Sequence, residues 1–132
     1  IIRAALEGIA LQVTDLALSM KSLLGKDLKI LRADGGAAAN GFLMQLQANL
    51  LNVPVDRPKD IESTAIGAGL FAGLGVGIYK SLGELAAARN PEVVFKPTED
   101  AAEMTRIKAV KAGWIRAIKA VQVFADSDSP SR

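Results

Sequence analysis

A chain of 132 residues, half of them hydrophobic and 23% charged, supports one modest core and is too short for two ordinary domains. Sixteen basic residues are interspersed with fourteen acidic ones for a net charge of +2, so no electrostatic footprint for nucleic acid or anionic lipid stands out. Cysteine and histidine are both absent, which removes disulfides, thiolate nucleophiles, zinc–thiolate sites and the commonest general base, and with them most self-contained hydrolase mechanisms.

The chain opens on Ile1-Ile2-Arg3 with neither an initiator Met nor a charged-then-apolar signal segment, and is read as a piece of a longer protein. From Ile2 to Leu23 the apolar residues Ile2, Leu6, Ile9, Val13, Leu16, Met20 and Leu23 recur at helical spacing, which predicts a long helix ending near Gly25. Leu11, Leu18 and Leu24 widen that stripe beyond a two-stranded seam, so it is expected to pack into a core rather than form a free coiled coil. Lys29 to Ala33 reads as a strand running into Asp34-Gly35-Gly36. Ala37 to Leu51, with Phe42, Leu43, Leu46 and Leu50 at helical spacing, reads as the helix that follows. Asn52 to Pro58 suits a short strand near a sheet edge, because Pro54 argues against a central position.

Glu62 to Tyr79 is apolar with small side chains, and Ala65, Gly69 and Gly73 lie four apart with Ala68 and Ala72 beside them. A helix face without bulk predicts close approach by a neighbour, since each glycine otherwise lowers helix propensity by about 1 kcal/mol. Ala65 to Tyr79 is about 15 uncharged residues, short of the roughly 20 that cross a bilayer, so no membrane span is expected. Glu62 at the start of this helix reads as a cap rather than a catalytic acid. Ser81 to Asn90 is predicted to be a short helix, and Pro91 to Pro97 an extended connector. From Thr98 on, Met104, Ile107, Val110, Trp114, Ile118 and Val121 mark a last amphipathic helix, with Arg106, Lys108, Lys111, Arg116 and Lys119 on its solvated faces. Residues 126–132 carry nothing to bury and are expected to form a disordered tail, leaving residues 1–125 as one domain; no internal repeat is visible.

One constellation carries chemistry. A strand, then Asp34-Gly35-Gly36-Ala37-Ala38-Ala39-Asn40, then a helix is a way to bind an anion: glycines let backbone N–H groups approach a phosphate, and the helix N-terminus adds a favourable dipole. Asn40, one turn into the helix, would project an amide able to donate and accept. Asp34 is assigned to helix capping or loop support. Neither the dinucleotide fingerprint nor the Walker pattern is present, and a Gly-Gly pair after a strand is by itself more often a plain tight turn.

The wider string resembles a known family. Leu31 to Ala48 (LRADGGAAANGFLMQLQA), then Val53-Pro54-Val55-Asp56-Arg57-Pro58, then Glu62-Ser63-Thr64-Ala65-Ile66-Gly67-Ala68-Gly69 is similar to the carboxy-terminal domain of the FGGY carbohydrate kinases. The opening Arg3 to Ala10 and the stretch Ala72 to Tyr79 fit the same family, so the resemblance covers roughly residues 1 to 120. The run Phe42-Leu43-Met44-Gln45, and Asp34 where other members have a third glycine, are most similar to its glycerol-phosphorylating branch. The resemblance implies an α/β fold, the C-terminal part of an actin-like, ribonuclease-H-like ATPase domain, helix-rich with a short partial sheet. It implies ATP-dependent phosphate transfer to a polyol. Gly36 would touch ADP or ATP through its backbone and Asn40 through its amide, with Gly35 and Ala37 shaping the loop. Magnesium ligands, catalytic base and polyol site would lie outside these residues, so the remainder of the kinase chain is an implied partner and this piece alone is expected to be inactive. A cytoplasmic location is implied by the use of ATP, with no nucleic-acid or membrane partner. Two alternatives are another FGGY sugar kinase, such as a xylulokinase-like enzyme, and a non-catalytic helical interaction module. Because two visible strands cannot make a stable sheet, the isolated chain is expected to associate with itself through its first helix or an open strand edge.

Overall fold

The computed structural model describes residues 1–87 and 91–127. Helix α1 (Ile2–Leu24) ends where expected: Gly25, left-handed at φ 62, donates its N–H to the Lys21 carbonyl at 3.0 Å. It lies against α2 (Gly41–Leu51), but through only a small part of the predicted stripe. The side it buries is Ala10, Leu11 and Thr14, while Ile2, Ile9, Val13, Leu16, Met20 and Leu23 face outward, Leu16 at 62% exposure. Core packing holds for Leu6 and Leu11 and is corrected for the rest of that stripe. Small residues let the two helices approach: Ala10 and Ala48 are fully buried. Between them the Thr14 hydroxyl donates to the Ala10 carbonyl at 2.8 Å and accepts from Gln47 Nε2 at 3.1 Å, satisfying two buried polar side chains.

Three short strands make one sheet in the order β1 (Leu31–Arg32), β2 (Val55–Pro58), β3 (Pro91–Phe95). β1 and β2 run parallel with Leu31 opposite Val55, joined by α2 as crossover, and β2 pairs antiparallel with β3, Val55 opposite Phe95. Two expectations are overturned. β2 is the central strand, because Pro54 precedes it and still serves the ladder as an acceptor, its carbonyl taking the Leu31 N–H at 2.9 Å. Pro91–Phe95, expected as a connector, is a strand; the register shifts beside Pro58, which has no N–H to give. β1 is also shorter than the five residues predicted.

α3 (Ser63–Gly75) starts after Glu62, whose side chain makes no capping hydrogen bond although it occupies the cap position. Among the glycines of this helix, close approach occurs at Gly73. The Ile78 and Tyr79 N–H groups both donate to the Gly73 carbonyl, folding the tyrosine ring back until a Cβ at position 73 would lie 2.9 Å from it. Gly67, Gly69 and Gly75 have nothing within 4 Å. α4 (Leu82–Ala87) is the expected short helix; residues 88–90 lie outside the described set.

α5 (Ala101–Ser127) opens with the Asp100 carboxylate accepting the Glu103 N–H at 2.7 Å. It is tied to the body by three polar contacts: Trp114 Nε1 to Asp15 at 2.6 Å, Lys111 Nζ to the Leu50 carbonyl at 3.1 Å, and Arg106 to Glu7 at 3.1 Å. Arg106 also forks onto Glu103 at 2.7 Å, and this hydrogen bond holds the Glu103 carboxyl below its ordinary range. Two of the five basic residues expected to be solvated are thus structural. α5 continues through Asp126 and Ser127, further than the expected tail boundary, and residues 128–132 lie outside the described set. Among the described residues no helix is long and apolar enough to cross a membrane. The core gathers Ala10 and Leu11 of α1, Leu43, Leu46 and Leu50 of α2, Val55 of β2 and Ile107 of α5, with α2 at the centre.

Candidate functional site

The site follows from how β1 ends. Parallel pairing carries one residue past the strand, with the Ala33 N–H on the Asp56 carbonyl at 3.0 Å. The chain then turns at Gly35, whose N–H is held by the Ile61 carbonyl at 2.8 Å. Gly35 has φ 78 and ψ 175, a conformation open essentially to glycine alone. Gly36–Ala39 follow as one turn of 3-10 helix, closed by Ala38 N–H to the Gly35 carbonyl at 3.0 Å and Asn40 N–H to the Ala37 carbonyl at 3.2 Å. This corrects the expectation of a continuous helix from Ala37 to Leu51.

Asn40 is therefore not one turn into a helix. It is the N-cap of α2, with Oδ1 accepting the Leu43 N–H at 3.1 Å. With Oδ1 engaged, the exposed amide offers Nδ2 as its outward donor. The caps are Gly35 for the 3-10 turn and Asn40 for α2, so Asp34, exposed and one residue earlier, caps neither and its predicted capping role is corrected.

Gly36 is the informative residue. Its φ is ordinary, and a Cβ built there would meet nothing within 4 Å, so neither backbone conformation nor packing among the described residues requires glycine. As the first residues of the turn, Gly36 and Ala37 have N–H groups that no carbonyl of the turn can take, and no other described group takes them. Gly36, Ala37 and Asn40 are all exposed. The structure thus brings together two outward N–H donors and one amide donor on an uncluttered surface, with Gly35 supplying the bend. Such an array can donate to an anionic acceptor; it holds no group able to attack a substrate or remove a proton. Among the described residues no three acidic, His or Cys side chains are placed to hold a metal ion.

Two features were not singled out in the sequence. Arg57, at the end of β2, reaches under the turn: its Nη1 donates to the Ala38 carbonyl at 3.2 Å and the Ala39 carbonyl at 3.4 Å, and its guanidinium lies over the Phe95 ring, 5.4 Å from the centroid. No local pattern reveals a contact between residues that far apart; only the β1–β2 register brings them together. An open cavity of about 690 Å³ lies on the other side of the strand ends, between Asp34, Lys59 and Ser63 and the apolar side chains of Ile66, Phe71 and Leu82. It adjoins Asp34 but includes none of Gly35, Gly36, Ala37 or Asn40.

A parallel strand that ends in a glycine turn at a helix N-terminus, with a helix as crossover to the next strand, is an α/β arrangement. Comparison with solved structures gives the fold as that of the actin-like ATPases: Plasmodium falciparum glycerol kinase with ADP superposes with a TM-score of 0.72 at 33% identity, covering 91% of this chain and 24% of that one. Xylulose kinase from Lactobacillus acidophilus superposes at 0.65 with 27% identity, covering 89% of this chain and 24% of that one. Residues 1–76 match the C-terminal domain of the FGGY family of carbohydrate kinases, and the chain belongs to that family. The glycerol kinase of Lactococcus lactis is 43% identical across 94% of this chain and 24% of that protein. That of Alkaliphilus oremlandii is 48% identical across 89% of this chain and 23% of that protein. The chain therefore spans about a quarter of the length of these relatives.

Proposed function

We propose that this chain is the nucleotide-binding C-terminal portion of an ATP-dependent glycerol kinase, which converts glycerol and ATP to glycerol 3-phosphate and ADP. The observation that carries the reading is Gly36, a glycine unexplained by its own fold, in a turn that presents unclaimed N–H groups. The relatives named glycerol kinase, and the neighbour solved with ADP, support ADP or ATP as the ligand of that turn. Gly36 and Ala37 donate through the backbone, Asn40 through Nδ2, and Gly35 makes the bend. The site for glycerol, the base that would take its proton and the ligands of a Mg²⁺ that would neutralise the phosphates would lie in the rest of the kinase chain, so these residues alone transfer no phosphate. The enzyme works in the cytoplasm, where ATP is available.

The chain exposes more surface than a compact monomer of its mass. The accessible surface is 9394 Å², against about 6,600 Å² for a compact monomer of this mass. The uncovered stripe of α1 is where the remainder of the kinase chain packs, and without it the chain associates with itself through the same stripe. Glycerol-dependent ADP release by the gene-encoded protein tests the reading. Turnover with glycerol, none with D-xylulose in its place, and none from residues 1–132 alone are expected. Preference for D-xylulose would support the xylulokinase-like alternative, and no turnover with either would favour an interaction module.

A further inference from the structure

The Gly35–Asn40 turn is short, and its backbone bonds are those of a single 3-10 turn. Such a turn has the poorer hydrogen-bond geometry of its class and does not by itself fix the planes of its last peptides. Here those peptides are fixed from outside. The Ala38 and Ala39 carbonyls both point to one Arg57 nitrogen, at 3.2 and 3.4 Å. Among the described residues, Arg57 is placed by its seat on the central strand and by its guanidinium lying over Phe95 of the neighbouring strand. Phe95 also backs the start of α2, its Cε1 lying 3.9 Å from where a Cβ on Gly41 would be. One aromatic ring thus abuts both the guanidinium that holds the turn and the helix that Asn40 caps.

We infer that Arg57 is a positioning residue for the nucleotide. By holding the carbonyl end of the turn, it sets the direction of the Gly36 and Ala37 N–H groups at the opposite end and of Asn40 beside Ala39. The inference rests on the reading of the Gly35–Asn40 turn as the nucleotide site. Lysine is a poor substitute, because a point charge on a flexible stem lacks the planar guanidinium that lies on the ring while one of its nitrogens meets both carbonyls.

The test is made on the gene-encoded protein with ADP as the probe. Arg57→Met is expected to weaken ADP binding about tenfold while glycerol KM changes by less than about twofold, and Arg57→Lys to fall between it and wild type. Phe95→Leu keeps the arginine but removes the ring beneath it, and is expected to shift ADP affinity in the same direction by a smaller factor. A merely structural role lowers the melting temperature and leaves the ADP affinity of the folded protein alone. Should Arg57→Met fail to fold, Arg57→Lys and Phe95→Leu carry the comparison. Unchanged ADP affinity in folded variants, or ADP and glycerol affinities falling in parallel, would overturn the inference. If wild-type protein binds ADP but Asn40→Asp binds it equally well, the site reading itself fails; if Asn40→Asp is weakened and Arg57→Met is not, only the role of Arg57 fails.

Discussion

Replacing Gly36 and Gly35 by alanine, one at a time, separates what the turn needs to fold from what it needs to bind. A methyl at position 36 meets nothing within 4 Å and the backbone there is ordinary, so Gly36→Ala should be neutral or add up to about 1 kcal/mol by restricting the unfolded chain. Gly35 holds φ 78 with ψ 175, so Gly35→Ala should cost about 1–3 kcal/mol of stability even though space is available for the methyl. The effects on nucleotide run differently. A methyl on Gly36 stands where the ligand must come within hydrogen-bond distance of the backbone, and losing one N–H bond to a charged phosphate is worth about 1.5–3 kcal/mol, or roughly ten- to a hundredfold in affinity. Urea denaturation gives the first quantity and calorimetric titration with ADP the second, both on the gene-encoded protein. Gly36→Ala that binds ADP within about twofold of wild type would refute the reasoning. So would Gly36→Ala that loses as much stability as Gly35→Ala, because the glycine would then be structural.

Asn40 divides in the same way. Asn40→Asp keeps the oxygen that accepts the Leu43 N–H and so should keep stability, but loses the outward donor and weakens ADP; Asn40→Ala loses both, with about 0.5–2 kcal/mol of stability, as parallel melts and titrations would show. In α3, Gly73→Ala drives a methyl into the Tyr79 ring at 2.9 Å and should cost about 1–3 kcal/mol, recovered in part by adding Tyr79→Ala, whereas Gly69→Ala should gain about 0.5–1 kcal/mol of helix propensity; urea midpoints distinguish them. The Glu103 carboxyl is held below its ordinary value of 4.5 by its hydrogen bond to Arg106, so the pair stabilises the folded state fully above that pH and loses its contribution as acid protonates the carboxylate. Glu103→Gln should accordingly be less stable than wild type at neutral pH and converge with it as pH falls below 4.5, measured by denaturation across pH.

What the sequence made legible was local. The stop at Gly25, the strand-turn-helix order around Gly35 and the short helix after Ser81 all depend on residues adjacent in the chain, where glycine conformation and apolar spacing act directly. What it hid depends on partners far along the chain. Periodicity reported that α1 has an apolar stripe, but not that α2 would take the adjacent side, where Ala10 and Thr14 permit close approach and a buried hydrogen bond to Gln47. Pro54 suggested an edge strand; the antiparallel partner from Pro91–Phe95 made that strand central, and a proline just outside it forfeits no ladder bond. Within the site, the glycines and Asn40 were visible as residue types, whereas the division of Asn40 between a capping oxygen and an outward nitrogen needed coordinates. The reach of Arg57 beneath the turn exists only once β1 and β2 are in register.

The central claim is that a nucleotide rests on the Gly35–Asn40 turn. The most direct measurement is a crystal structure of the gene-encoded protein with ADP bound. The account predicts nucleotide acceptor atoms within roughly 3 Å of the Gly36 backbone nitrogen and of Asn40 Nδ2, with Arg57 still on the Ala38 and Ala39 carbonyls. ADP seated instead in the cavity beside Asp34, with the turn left bare, would contradict it.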